Sequence, residues 1–159
     1  MSEYKGIKGF QVQTRTEDPT PYAQALADNP YAGTWASGAA ANTGRSEVAS
    51  HGTSTANMIS GGEPPSTGKT EQWNGTSWTE VADLSTARNL IASAGADNLS
   101  ALASGGTTGS PTGATEEWNG AAPVGAWSSG GDLNSGRENT SGSGTELAAL
   151  CIGGDVSTN

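Results

Sequence analysis

Few residues in this chain are of types that do chemistry. Gly62-Glu63-Pro64-Pro65-Ser66-Thr67-Gly68-Lys69-Thr70 carries the glycine and Gly-Lys-Thr elements of a phosphate-cradling loop. Such a loop needs four residues between its glycines, free backbone amides and a helix directly after it. Here five residues intervene, two prolines remove amides, and the residues from Thr70 read as a strand. That argues against nucleotide binding. His51 is the only histidine and Cys151 the only cysteine. Alone, neither has the companions that a metal site, a catalytic triad or a disulfide requires. His51 is expected at the surface or facing a central channel, and Cys151 as a small apolar filler in a strand.

Three arginines differ because they recur at equivalent places: Arg45, Arg88 and Arg137. One reading makes them a set of guanidinium groups that binds an anionic ligand. The other pairs each with a loop carboxylate or with carbonyls of the next unit, which suits a planar fork of donors. The second is the expectation. Glu71 and Glu116 recur in the same way, whereas carboxylates that share a catalytic task are singular and differently placed. The expectation is therefore no enzyme, no catalytic residue, no cofactor and no metal.

The elements that position these residues are repeats. Trp35, Trp78 and Trp127 each stand ten residues before an arginine, and Gly52, Gly95 and Gly144 each follow it by seven. Gly-Gly pairs come next: Gly61-Gly62, Gly105-Gly106 and Gly153-Gly154. After the first two pairs stands a matching hexapeptide, Thr70-Glu71-Gln72-Trp73-Asn74-Gly75 and Thr115-Glu116-Glu117-Trp118-Asn119-Gly120. The extra residues of the second copy sit between Trp118 and Trp127, in a turn-rich stretch. Met58-Ile59-Ser60, Leu102-Ala103-Ser104 and Leu150-Cys151-Ile152 read as short strands that stop at Gly-Gly. The hexapeptide reads as a strand running into an Asn-Gly turn, Thr76 to Val81 as the returning strand, and Leu90 to Ala94 as one more. Four short strands in about 45 residues fit one propeller blade.

Composition explains why repetition is needed. Of 159 residues 24 are Gly, and roughly a tenth are Leu, Ile, Val or Phe, below the ~20% at which a chain becomes hard to fold. A conventional α/β enzyme core is out of reach. Small residues are expected at inward positions, with Trp73, Trp78, Trp118 and Trp127 supplying bulk. The net charge of −9 argues against a nucleic-acid surface, which needs clustered Lys and Arg. No stretch approaches the ~20 apolar residues of a membrane span, so membrane insertion is not expected.

The order Arg88, Gly105-Gly106, Glu116-x-Trp118, Trp127 resembles a kelch repeat, with Trp73 and Trp118 where that family usually has Tyr. The dialect, rich in Ala, Ser, Gly and Thr with a repeated Glu-x-Trp-Asn-Gly, is similar to kelch-like repeats in structural proteins of marine tailed bacteriophages. The opening Met1 to Phe10 also looks like the start of such proteins. The resemblance implies an all-β fold of kelch-like β-propeller blades, about two and a half in an incomplete ring, behind a non-repeat arm. In this reading residues 1–33 are an attachment arm with Lys5, Ile7, Phe10 and Val12 as docking residues. Residues 34–159 are then the N-terminal part of a longer propeller. It implies a virion protein assembled in the host cytoplasm, of tail-fibre or tail-associated type, with a head fibre or capsid decoration protein as the alternative location. Its partners would be other virion proteins (tail, adaptor or portal-proximal), further copies in a homo-oligomer such as a trimer, and a host surface glycan. The competing class is a carbohydrate-binding or glycan-cleaving propeller; a cellular kelch adaptor is a weaker third.

Overall fold

A computed structural model describes residues 36–121 and 124–156. Trp35 and the docking positions Lys5, Ile7, Phe10 and Val12 lie outside the described residues. From Gly38 onward the chain is all-β, with no helix among the described residues. Strands β1 (Ala49–Gly52), β2 (Asn57–Ser60), β3 (Thr70–Trp73) and β4 (Trp78–Val81) form an antiparallel sheet in sequence order. Strands β5 (Ala92–Ala94), β6 (Ser100–Ser104), β7 (Thr115–Asn119) and β8 (Ala126–Ser129) form a second of the same order. β9 (Glu138–Thr145) and β10 (Ala148–Asp155) form an antiparallel hairpin.

The registers show that the sheets are copies of one unit. Ser60 pairs with Thr70 and Ser104 with Thr115, while Trp73 faces Trp78 and Trp118 faces Trp127. The longer second loop therefore leaves the tryptophan register intact. In the first sheet the turn is closed by Asn74, whose Oδ1 accepts the amides of Thr76 (3.0 Å) and Ser77 (2.9 Å). The tryptophan pairs have centroids 5.3 and 5.5 Å apart in tilted geometry, an arrangement worth about 0.5–1.5 kcal/mol beyond burial. The hairpin departs from expectation in one respect. β10 does not stop at its glycines but runs through Gly153 and Gly154 to Asp155.

The sheets pack through small side chains. Ala49, Ala92, Ala101, Ala103 and Ser60 are fully buried or nearly so, and they let the first strands β1, β5 and β9 lie beside one another. Ser93 Oγ donates to the Ser50 carbonyl at 2.9 Å, tying β5 to β1. Bulk comes from Trp118, which is buried, and from Trp127, which packs on both core clusters between the first two sheets. Trp127 Nε1 donates to Thr70 Oγ1 at 3.1 Å, so the last strand of one sheet is anchored on the third strand of the preceding one. Trp73 and Trp78 are half-buried.

Candidate functional site

The recurring arginines form the most organised polar feature of the described residues. Arg45 donates from Nε to the Gly61 carbonyl at 2.9 Å and from Nη1 to Glu71 Oε1 at 2.5 Å. Glu71 Oε2 accepts the backbone amide of Asn42 at 2.7 Å. The second sheet repeats the pairing as an ion pair, in which Arg88 Nη1 and Glu116 Oε1 are not aligned for a hydrogen bond. Arg88 Nη1 lies 3.1 Å from Glu116 Oε1, and Glu116 Oε2 accepts the amide of Ser85 at 2.8 Å. Asn42 and Ser85 each stand three residues before their arginine. In both sheets, then, a carboxylate on the third strand is held by a guanidinium and a backbone amide. Burial alone would raise the Glu71 carboxyl, but the Asn42 amide and the Arg45 guanidinium outweigh it and hold the group below the usual carboxylate range. Burial lowers the Arg88 guanidinium from its ordinary value, against the charges of Glu116 and Asp132.

These pairings differ from the expected ones. Each of these arginines reaches a glutamate on a strand of its own sheet, not a loop carboxylate or carbonyl of the next unit. Contact with the neighbour is made by the arginine backbone instead. The Gly62 amide donates to the Arg88 carbonyl at 3.0 Å, and the Gly106 amide donates to the Arg137 carbonyl at 2.9 Å. Gly61, Gly62, Gly105 and Gly106 all have positive φ; the first amide of each pair stays in its own unit, on the Lys69 and Ala114 carbonyls, and the second reaches the next unit. Side-chain exposures of 2% for Arg45 and 1% for Arg88 withdraw both from any ligand in solvent. Arg137 differs: it donates from Nη1 to the Gly153 carbonyl at 2.8 Å and has no carboxylate partner among the described residues.

The remaining candidates are dispersed. Lys69 pairs at 3.0 Å with Glu80 on the surface, and β3 begins at Thr70, so the Gly62–Thr70 loop leads into a strand. Cys151 lies in β10 but is only half-buried. No group of three or more His, Cys, Asp or Glu side chains is placed to hold a metal among the described residues. His51 is neither at the surface nor solvated: it is 8% exposed, and both ring nitrogens are buried without a hydrogen-bond partner. Desolvation drives its pKa down to about 4, against the opposing charge of Asp97. The unfolded chain, with an ordinary value of 6.5, takes up this proton first. Stability is therefore expected to fall by about 1.4 kcal/mol per pH unit as pH drops from 6.5 toward 4. Denaturant titrations at pH 7 and pH 5 check this. His51→Ala, which installs the residue found at Ala94 in the second sheet, should remove that part of the slope.

A cleft of about 290 Å³ gathers two carboxylates that are not part of the repeat. Glu117 on β7 stands where the first sheet has Gln72, and Glu146 occupies the β9–β10 turn. Ser100 Oγ donates to Glu146 Oε2 at 2.7 Å. Nothing in the repeat pattern marks these residues, since each occurs once. No known protein family matches the chain, and neither does any curated protein sequence.

Proposed function

We propose that this chain is a non-enzymatic structural protein of a tailed bacteriophage particle, of tail-fibre or tail-associated type. In this reading the four-stranded sheets are kelch-like propeller blades that form a rigid scaffold or host-recognising body. Residues 1–33, with Lys5, Ile7, Phe10 and Val12, fasten it to the particle, and further copies join it in a homo-oligomer. The observation that carries the reading is the reuse of one buried arginine–glutamate joint in successive sheets. The polar residues that recur are spent on stiffening the sheets, which is what a scaffold requires of them. The kelch-like order and the Glu-x-Trp-Asn-Gly dialect add the phage attribution. Deleting residues 1–33 from the gene in a phage that encodes this chain is expected to leave the repeats folded and abolish incorporation. Particles that carry the shortened protein at normal copy number would contradict the proposal.

The cleft with Glu117 and Glu146 favours a second reading, glycan binding. Its polar lining suits sugar hydroxyls, but the Trp118 ring beside it is 2% exposed and offers no stacking face. The structural reading is therefore preferred.

A further inference from the structure

Asn-Gly occurs twice in the chain, at Asn74-Gly75 directly after β3 and at Asn119-Gly120 at the end of β7, so the repeat sets the same dipeptide in equivalent turns. In a flexible chain this pair modifies itself, because a glycine amide nitrogen meets no Cβ of its own residue as it attacks the preceding asparagine Cγ. The fold gives the two copies different surroundings. Asn74 and Gly75 are both exposed, and a Cβ on Gly75 would come no nearer than 3.7 Å to its neighbour Thr55. The Gly75 amide has no acceptor among the described residues. The Gly120 amide donates to the Leu99 carbonyl at 2.8 Å, and a Cβ on that glycine would stand 2.8 Å from Trp118 Nε1 and 3.0 Å from Leu99 Cα. One nitrogen is open to solvent; the other is hydrogen-bonded and packed against the β5–β6 turn.

The electrophile is also prepared. Asn74 Oδ1 accepts the amides of Thr76 at 3.0 Å and Ser77 at 2.9 Å. Those two donors polarise Cγ and are already aimed at the atom on which negative charge develops when a nucleophile adds. We propose that Asn74 is a self-modification site, converted in the folded protein to aspartate and isoaspartate, while Asn119 is spared. The Gly75 amide gives its proton to solvent base, and its nitrogen forms a bond to Asn74 Cγ. The oxyanion collapses, the Cγ–Nδ2 bond breaks, and the side-chain nitrogen takes a proton from water and leaves as ammonia. Water then opens the cyclic imide. Cleavage between Cγ and the Gly75 nitrogen gives aspartate, and cleavage between the Asn74 carbonyl carbon and that nitrogen gives isoaspartate. One water is consumed and one ammonia released, with no change of oxidation state. Both products add a negative charge to the β3–β4 turn. Aspartate keeps an oxygen for the Thr76 and Ser77 amides, whereas isoaspartate puts an extra methylene into the main chain between Trp73 and Trp78, which this turn sets face to face. The surface beside that tryptophan pair therefore changes as the protein ages.

The test incubates the full chain in mildly alkaline buffer, with and without guanidinium chloride, and maps its peptides by mass spectrometry, which reads amide against acid at each asparagine. In the folded protein Asn74 is expected to convert about tenfold faster than Asn119 or more, the factor that one retained hydrogen bond at Gly120 supplies. The Asn74 rate should rise with hydroxide concentration, because the Gly75 amide must lose its proton before it attacks. In denaturant the two rates should converge, since both sites read Trp-Asn-Gly and no fold then separates them. The proposal is overturned if Asn119 converts as fast as Asn74 in the folded protein. It is equally overturned if Asn74 converts no faster than Asn42, which is exposed but precedes a threonine. A difference that persists undiminished in denaturant also overturns it, because flanking residues and not the fold would then select the site.

Discussion

Arg88→Ala is expected to lower the unfolding free energy by about 3–5 kcal/mol, whereas Arg137→Ala should stay within about 0.5 kcal/mol of the parent. The two arginines occupy equivalent positions, so the difference comes from surroundings alone. Removing Arg88 leaves the Glu116 carboxylate buried, 2% exposed, with the Ser85 amide as its hydrogen-bond partner and no counter-charge beside it. An uncompensated buried charge either loses its hydration or takes up a proton, and both weaken the fold. Arg137 makes one solvent-accessible bond to a carbonyl, and water replaces that bond when it is lost. The double variant Arg88→Met/Glu116→Leu should recover most of the loss, because it removes both charges and keeps apolar bulk. Guanidinium chloride unfolding of the four proteins measures these differences. A loss for Arg88→Ala no larger than for Arg137→Ala would show that the buried pair is dispensable.

Much of this fold was legible because it is repeated. A lone Gly-Gly or a lone Trp carries little information, but landmarks in register locate strands, and the edges fell within a few residues of the expected ones. The sequence marked Thr76 to Val81 as a strand returning after the Asn-Gly turn, and the register adds that Trp78 and Trp127 face Trp73 and Trp118. What stayed hidden depends on direction. The guanidinium reach of Arg45 and Arg88 is long enough for either their own sheet or the next, and spacing cannot choose between them. The backbone chooses, because the Gly62 and Gly106 amides already take the neighbour's arginine carbonyl. Glu47, Leu90 and Asn139, each two residues after an arginine, all adopt φ near +55°. Only asparagine advertises that conformation in a sequence, so the recurrence is visible in the backbone and not in the residue types. The burial of His51 was hidden for a related reason. Its partner positions Ala94 and Ser143 are small, and a pattern of small residues does not reveal that a ring fits against the bare Cα of Gly95.

The same reasoning separates two causes for the glycine pairs, and the comparison of Gly61→Ala with Gly153→Ala tests them. Both glycines lie in the left-handed region, at φ +66° and +71°, so alanine carries a similar conformational penalty of about 1–2 kcal/mol at each. Their surroundings differ. A Cβ on Gly61 would stand 2.5 Å from the Arg88 carbonyl oxygen and 2.6 Å from Ile91 Cδ1, while a Cβ on Gly153 would meet nothing within 4 Å. The Arg88 carbonyl is backbone and is held by the Gly62 amide, so it has little freedom to withdraw. Overpacking of this kind adds about 1–3 kcal/mol. Gly61→Ala should therefore destabilise by about 3–4 kcal/mol and Gly153→Ala by about 1 kcal/mol, read from denaturant midpoints at constant slope. Because the Gly61 clash lies between the first and second sheets, its effect should extend to Trp127, whose near-ultraviolet signal should weaken in that variant alone. Equal losses at the two positions would mean that positive φ by itself accounts for the glycines, and that close approach of one unit to the next does not.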